Sequence, residues 1–313
     1  MNHVTFFGFE FDLNPVAFSI PFLNDWNVYW YGILIGLGFL LAFLYGLYRA
    51  KTLSIDTDKL LDAVIITVPI AIICARAYYL LFNNPSSFFE DFIKIHEGGL
   101  AIYGGIIGGI GGAALACYLR KLNFLDAIDL TAPGFFIGQA IGRWGNFFNQ
   151  EAFGTNTNLP WGMFSYGESG TYEHILSMNN PDLDTTLPVH PCFLYESIWC
   201  IIGFLILNYM ITRRKFKGQL ILTYGMWYGL GRTFIEGLRT DSLMLGSVRV
   251  SQLLSILIVV VCLIVYIVII KKKKEETEEY VPVFDEKEDV FFSLSDIYEE
   301  GTEDENIEDS LES

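Results

Sequence analysis

Seven long apolar segments constrain the fold of this chain more than any other feature of its sequence. Each approaches the ~20 residues that a helix needs to cross a bilayer, and the whole chain is 52% hydrophobic with a mean hydropathy of +0.38. A lone strand cannot satisfy its backbone hydrogen bonds in lipid, so the segments are predicted to be helices. We therefore expect an all-α membrane protein with seven transmembrane helices, at residues 28–48, 60–82, 100–119, 125–142, 193–212, 219–238 and 251–270.

Basic residues follow the first, third, fifth and seventh segments, and these four places share one side if all seven segments cross. The positive-inside rule makes that side cytoplasmic. The amino terminus is then outside and the carboxyl terminus inside the cell. The basic residues concerned are Arg49, Lys51, Lys59, Arg120, Lys121, Arg213, Arg214, Lys215, Lys217 and Lys271 to Lys274.

The remaining segments predict three parts around the membrane. Residues 1–27 form an outer amino-terminal segment, and residues 28–270 form the membrane domain. Its loop at about 143–192 contains four prolines and no long apolar run, which indicates a small irregular extracytoplasmic cap. Residues 271–313 are a basic cluster followed by an acidic cytoplasmic tail with the composition of a disordered segment.

Charge and cysteine spacing exclude several classes of protein. The net charge of −16 comes from residues 275–313, which hold seventeen acidic residues and one basic residue. The rest of the chain is neutral and lacks the basic excess of a nucleic-acid binder. The five cysteines have neither metal-ligand nor disulfide-framework spacing, so no metal site is expected. Cys192 lies in a loop, where a packing role is favoured over a nucleophilic one.

A polar motif follows the fourth apolar segment, between Gly142 and Gly154. Arg143, Asn146, Asn149 and Glu151 stand there among glycines and aromatic residues. Such side chains are costly inside a bilayer, and a cluster of them at its boundary indicates a functional site. Capping of a helix end would require neither an arginine nor repeated amides.

This motif and several others resemble the prolipoprotein diacylglyceryl transferases. The matching motifs occur in order over roughly residues 29 to 270. They are Trp30–Gly32, Glu97–Gly105, Asp126–Asp129, Ala132–Pro133, Gly142–Gly154, His190–Pro191, Leu194–Glu196 and Gly231–Arg239.

The resemblance implies an enzyme of the bacterial cell (inner) membrane that needs no cofactor. Its substrates would be phosphatidylglycerol and prolipoprotein signal peptides with a lipobox cysteine. The enzyme would transfer the sn-1,2-diacylglyceryl group to the cysteine thiol, forming a thioether and releasing glycerol phosphate.

That reaction requires an anionic phosphodiester to be fixed near the membrane surface. Arginine suits this task, because its planar guanidinium can bind two phosphate oxygens and stays charged when desolvated. By resemblance, the candidates are Arg143 and Arg232, with Arg239 as a third. Glu236 lies four residues after Arg232, on the same helix face, and is expected to orient its guanidinium. An internal salt bridge between helices is the alternative for this pair, and an interfacial anchor is the alternative for Arg239.

Other residues of the motifs receive roles in the same way. Asn146 matches a critical asparagine of the family, and Asn149 can donate to phosphate or ester oxygens. Glu151 is expected to organise the arginines or to accept a proton. Gly154 allows close approach of the backbone, and Tyr31 matches a family tyrosine.

One position departs from the family pattern. Many members have a histidine where this chain has Tyr103. A tyrosine near its reference pKa of ~10 is a poor base at neutral pH, although it can donate a hydrogen bond. His190 is the remaining imidazole candidate for a base, and holding the Pro191 turn is its alternative role.

Three other classes of protein are alternatives to a diacylglyceryl transferase. A transporter of an anionic lipid or solute would explain seven spans with buried arginines, but the sequence has no inverted repeat. An intramembrane hydrolase would need a nucleophile motif such as Gly-x-Ser-x-Gly, which is absent. A structural scaffold would not need the polar motif.

Overall fold

The computed structural model describes residues 1–21, 26–83, 85–94, 98–167, 170–178, 183–240, 244–245 and 248–276. The chain divides into two units, Met1–Val281 and Pro282–Ser313, and the second lies outside the described residues. The predicted disorder of the acidic tail therefore falls outside them beyond Glu276, as does Glu97 of the matching motifs. Residues 271–274, the predicted basic cluster, belong to the last helix.

Nine α-helices lie in the described part of the chain, and seven of them occupy the predicted apolar segments. Most bounds agree with the prediction within a few residues. The helices are α1 (Trp30–Ala50), α2 (Thr57–Asn83), α3 (Phe88–Asp91), α4 (Ile102–Arg120), α5 (Phe124–Asn149), α6 (Thr171–Met178), α7 (Cys192–Met210), α8 (Gln219–Glu236) and α9 (Val250–Glu276).

Helix α5 differs from its predicted segment at the carboxyl end. The prediction ended the helix at residue 142 and began the outer loop at Arg143, but α5 continues to Asn149. The apolar run ends at residue 142, whereas the helix does not, because a helix satisfies its own backbone whatever its side chains. Arg143, Asn146 and Asn149 are therefore helical residues, and the predicted loop begins after them.

Five helices are long and apolar enough to cross a membrane: α1, α2, α4, α7 and α9. Helices α5 and α8 carry more polar groups, among them Asp126, Asp129 and Arg143 on α5 and Arg232 and Glu236 on α8. The protein is thus mostly helical, with five candidate membrane-spanning helices in its described part.

Small residues let neighbouring helices approach closely. A Cβ built on Gly38 of α1 would lie 3.2 Å from the Cα of Gly138 of α5. Helix α4 turns Gly104, Gly108 and Gly112 toward α2, where a Cβ would lie 2.4 to 3.2 Å from its nearest α2 atom. Helix α4 therefore packs closely on α2.

The adjacent Gly108 and Gly109 provide a matched test of this packing. A Cβ at Gly108 would lie 2.5 Å from the Cβ of Cys74, whereas a Cβ at Gly109 meets nothing within 4 Å. We expect Gly108→Ala to lower the free energy of unfolding by about 1–3 kcal/mol through overpacking. Gly109→Ala should leave it unchanged or raise it by up to ~1 kcal/mol through helix propensity. Thermal unfolding in detergent measures both, and equal effects of the two variants would contradict the packing.

Short strands correct the prediction of an all-α chain with an irregular cap. Strand β1 pairs antiparallel with both β2 and β5, so the amino-terminal segment and the predicted cap region share one sheet. Phe7 and Gly8 have φ values of 53° and 77° and form the two-residue turn between β1 and β2. The strands are β1 (Asn2–Phe6), β2 (Phe9–Leu13), β3 (Val16–Ile20), β4 (Trp26–Tyr29), β5 (Met163–Tyr166), β6 (Met244–Leu245) and β7 (Val248–Arg249).

A buried ion-pair network fixes the connection between α7 and α8. Asp129 accepts hydrogen bonds from Arg214 at 2.9 Å and from the backbone N–H groups of Gly218 at 2.8 Å and Ile221 at 3.0 Å. Asp126 also contacts Arg214. Both carboxylates lie near the start of α5, so this matching motif anchors the start of α8 to the start of α5. These contacts fix the position of α8 relative to α5.

Candidate active site

Three helix ends meet at the candidate active site. The last turns of α5 carry Arg143, the first turns of α7 carry Glu196, and the last turns of α8 carry Arg232 and Glu236. Arg239 follows the end of α8 by three residues. Residues that are widely separated in the sequence are therefore brought together by the packing of α5, α7 and α8.

Glu196 lies at the centre of this site. Its Oε2 is 2.7 Å from Nη2 of Arg143, and its Oε1 is 3.0 Å from Nη1 of Arg232 and 3.6 Å from Nη1 of Arg239. The Glu196 side chain is only 5% exposed, and a charge buried to this extent is tolerated when it is paired. Three guanidinium groups thus converge on one carboxylate.

Glu236 belongs to the same site and precedes Arg239 by three residues. Its Oε2 is 2.7 Å from Nη2 of Arg232, which confirms the pairing predicted from their spacing. Arg232 is therefore held between two carboxylates. The three arginine side chains are 12 to 20% exposed, against 2 to 5% for the carboxylates, so guanidinium N–H groups remain within reach of a ligand. We call these five residues the arginine cluster.

The end of α5 places Glu151 beside two asparagines. Gln150 and Ala152 adopt left-handed conformations with φ of 55° and 58°, so the chain turns back on the helix. Glu151 Oε1 then accepts hydrogen bonds from the side-chain amides of Asn146 at 2.9 Å and Asn149 at 3.3 Å. Asn146 in turn accepts a long contact of 3.4 Å from Arg143. The polar residues of the motif form one hydrogen-bonded row that leads to the arginine cluster.

Gly154 lies where three chain segments cross. Its N–H donates to the carbonyl of His190 at 2.9 Å, and it forms an isolated β-bridge with Arg239. A Cβ at this position would lie 2.8 Å from the Cβ of His190, 3.0 Å from Sγ of Cys192 and 3.1 Å from the carbonyl oxygen of Leu238. A side chain would displace this backbone, so Gly154 holds Arg239 and His190 close to the motif.

His190 is tied to its surroundings through Nδ1, which lies 3.1 Å from the hydroxyl of Tyr195. Trp161 donates its ring N–H to the same hydroxyl at 2.9 Å. Burial lowers the pKa of His190 below its usual value and favours the neutral imidazole. The neutral ring has two tautomers here: Nδ1 either accepts the Tyr195 proton, with the ring proton on Nε2, or donates to the Tyr195 oxygen, with Nε2 as the acceptor.

The two tyrosine candidates have different surroundings. The ring of Tyr31 packs on Gly145 of α5 and leaves no room for a side chain there. Tyr31 therefore contacts α5 two residues after Arg143. Tyr103 lies at the start of α4, is 58% exposed and has its ring 6.2 Å from that of Tyr78. Among the described residues, no hydrogen bond or ion pair connects Tyr103 to the arginine cluster.

The sequence alone predicted no role for Glu196, although this residue belongs to the Leu194–Glu196 motif. An acidic residue inside an apolar segment was the available signal, since such residues are rare in membrane helices and are usually paired. Its three partners come from α5 and from α8 with the residues that follow it, and only the tertiary structure identifies them. In the described part of the chain, no three His, Cys, Asp or Glu side chains are grouped so as to hold a metal ion.

Comparisons with known proteins show the family of the chain. Residues 15–268 match the family model described as prolipoprotein diacylglyceryl transferase. A phosphatidylglycerol–prolipoprotein diacylglyceryl transferase of Clostridium novyi is 46% identical over 78% of this chain and 91% of its own length. Proteins of the same name from Finegoldia magna and Clostridioides difficile are 43% and 41% identical, over 79% and 78% of this chain and 92% and 91% of their own lengths. The chain belongs to the prolipoprotein diacylglyceryl transferase family.

Proposed function

We propose that this chain transfers the sn-1,2-diacylglyceryl group of phosphatidylglycerol to the thiol of a prolipoprotein lipobox cysteine. The cysteine sulfur forms a bond to the glyceryl carbon, the carbon–oxygen bond to the phosphate breaks, and glycerol phosphate leaves with the bond electrons. The convergence of three arginines on Glu196 where the ends of α5, α7 and α8 meet carries the proposal, together with family membership.

The arginine cluster binds the phosphodiester in this proposal. Arg143 and Arg232 hold its oxygens by charge-assisted hydrogen bonds, with Arg239 and Asn149 as additional donors. The same guanidinium groups stabilise the charge that develops on the leaving phosphate. Glu236 and Glu196 fix the guanidinium planes before substrate arrives, which their distances of 2.7 and 3.0 Å from Arg232 support.

The thiol must lose its proton before it attacks. The positive field of Arg143 and Arg232 lowers the pKa of a nearby thiol and so favours the thiolate. Glu151 accepts the proton in this proposal, since its carboxylate is held at the cluster by Asn146 and Asn149. Tyr31 and Gly154 shape the surroundings of these groups.

For the membrane we propose seven spans in the bacterial inner membrane, with the amino terminus outside and the carboxyl terminus in the cytoplasm. Helices α5 and α8 are 26 and 18 residues long, and α5 packs against the apolar α1, which supports counting both as spans. Cysteines introduced at residues 3 and 277 of a cysteine-free variant test this topology. We expect an impermeant maleimide to label residue 3 in intact cells and residue 277 only after permeabilisation, and the reverse would contradict it.

The reaction is tested with purified protein, phosphatidylglycerol labelled in its acyl chains and a lipobox peptide. We expect the label to move to the peptide, with one glycerol phosphate released for each thioether formed. A peptide whose lipobox cysteine is replaced by serine is the control and should remain unlabelled. No transfer, together with movement of a solute or lipid across vesicles containing the protein, would instead support a transporter.

Tyr103→Phe should lower the transfer rate by ~10-fold or less, the effect of losing one neutral hydrogen bond of ~0.5–1.5 kcal/mol. Tyr103 is exposed, and no hydrogen bond or ion pair of the described residues connects it to the arginine cluster, which motivates this small effect. The measurement is the initial rate at saturating phosphatidylglycerol. A loss of about 10³-fold at unchanged lipid binding would show that Tyr103 acts as a general base.

A further inference from the structure

Two tryptophans join α7 and α8 close to the arginine cluster. The rings of Trp199 on α7 and Trp227 on α8 are stacked, with centroids 4.4 Å apart and planes at 16°. Each ring also bonds the other helix: Trp199 Nε1 donates to the carbonyl of Trp227 at 2.8 Å, and Trp227 Nε1 donates to the carbonyl of Trp199 at 2.9 Å. We call these two residues the tryptophan pair. Its reciprocal hydrogen bonds tie both rings to one register of α7 against α8.

Glycines on both helices make room for the tryptophan pair. A Cβ on Gly231 of α8 would overlap the ring of Trp199, and a Cβ on Gly203 of α7 would lie 2.6 Å from Cδ1 of Trp227. Each ring therefore fits against a place on the opposite helix where no side chain projects. Sliding α7 along α8 by one turn would break both hydrogen bonds and move the rings off these places. Because α7 is a candidate membrane-spanning helix, water would not replace the lost bonds.

The register set by the tryptophan pair is also the register of an ion pair in the arginine cluster. Glu196 precedes Trp199 by three residues, on the same face of α7, and Arg232 directly follows Gly231. Glu196 Oε1 and Arg232 Nη1 are 3.0 Å apart across the same boundary between the two helices. The buried contacts of Asp129 fix α8 at its opposite, amino-terminal end. The tryptophan pair therefore lies between that anchor and the ion pair.

We propose that the tryptophan pair positions the arginine cluster. By fixing α7 against α8, it holds the Glu196 carboxylate where this group orients the guanidinium of Arg232 toward the phosphodiester. The inference rests on the proposed role of Arg232 in binding the headgroup. Neither tryptophan contacts the substrate in this account, so both are positioning residues. A displacement of about 1 Å in groups that hold a substrate can lower a rate by ~10²-fold, so loss of the register should slow transfer strongly in a folded protein.

Two alanine substitutions on α8 separate the register from overpacking. Gly231→Ala inserts a methyl against Trp199, whereas Gly229→Ala inserts one 2.6 Å from Cγ2 of Val259 on α9. Both should lower the midpoint of thermal unfolding in detergent. We expect Gly231→Ala to lower kcat for transfer to a lipobox peptide by ~10²-fold. Gly229→Ala should leave kcat within ~3-fold of wild type.

The same substitution in a Glu196→Gln background shows whether its effect passes through the ion pair. Glutamine keeps the length of the side chain and removes its charge, so the ion pair with Arg232 is already lost. Gly231→Ala should then lower kcat by less than ~3-fold further. An effect on the fold alone would instead multiply with that of Glu196→Gln.

A second variant tests the hydrogen bonds without adding a methyl. The double substitution Trp199→Phe/Trp227→Phe keeps two stacked rings and removes both ring N–H donors. It should lower kcat by ~10-fold or more in the wild-type background and by less than ~3-fold in the Glu196→Gln background. This variant provides a test even if Gly231→Ala does not fold.

Equal losses of kcat in Gly231→Ala and Gly229→Ala, an unchanged kcat in Trp199→Phe/Trp227→Phe, or undiminished effects in the Glu196→Gln background would each overturn the inference. Arg232→Ala tests the proposed function separately. If this variant transfers as wild type does, the role of Arg232 in binding the headgroup is wrong. If it loses transfer while Gly231→Ala does not, only the role of the tryptophan pair is wrong.

Discussion

Replacing Arg143 with alanine should lower diacylglyceryl transfer by at least about 10²–10³-fold, the loss typical of removing a donor that stabilises developing charge. Arg143 is one of the three arginines on Glu196, at 2.7 Å, and it also contacts Asn146. Arg143→Lys should recover little of the activity, because one ammonium cannot reproduce the planar fork of a guanidinium. The initial rate of transfer to a lipobox peptide measures both variants.

Arg213→Ala is the matched control for the Arg143 variants. Arg213 lies beyond the opposite end of α7, is exposed and has its guanidinium over the ring of Tyr209 at 4.3 Å. We expect its removal to leave transfer close to wild type. Turnover near wild type in folded Arg143→Ala would contradict the assignment of Arg143 to phosphate binding.

Gly154→Ala should lower transfer by about 10²-fold, because small displacements of groups that hold a substrate have effects of this size. The added methyl would lie 2.8 Å from the Cβ of His190 and 3.1 Å from the carbonyl oxygen of Leu238. The segment that carries Arg239 must then move away from Glu196. Overpacking should also lower the free energy of unfolding by about 1–3 kcal/mol.

Gly142→Ala tests whether any added methyl in the motif has this effect. A Cβ at Gly142 meets nothing within 4 Å, and the residue lies within α5. We expect transfer by this variant to remain within a few-fold of wild type. A similar loss in both variants would show that the crossing at Gly154 is not the cause.

Helix positions were predictable from the sequence because apolar length determines where a chain can cross lipid. The extension of α5 was not, since Arg143, Asn146 and Asn149 interrupt the apolar run and the turn after the helix is made by Gln150 and Ala152. Both residues have positive φ although neither is glycine, so the sequence lacks the usual marker of a helix end. The amino-terminal strands were also missed, because β1 depends on pairing with residues 163–166 far along the chain.

The candidate site was predictable in its members but not in its organisation. Arg143, Arg232 and Glu236 were identified from motifs, and the pairing of the last two followed from helical periodicity. The position of Glu196 between three arginines depends on how α5, α7 and α8 pack, which spacing within one segment does not contain. Tyr103 is the opposite case: it belongs to a matching motif, but among the described residues no hydrogen bond or ion pair joins it to the cluster.

A structure of the protein with phosphatidylglycerol bound tests the central claim most directly. We expect the phosphodiester oxygens to lie ~2.7–3.2 Å from guanidinium nitrogens of Arg143 and Arg232, with Glu196 still bridging the arginines. The glyceryl carbon attached to the phosphate should then face the side of Glu151 and Asn146. A headgroup bound elsewhere, with Arg143 and Arg232 contacting only their carboxylates, would contradict the claim that the arginine cluster holds the phosphodiester.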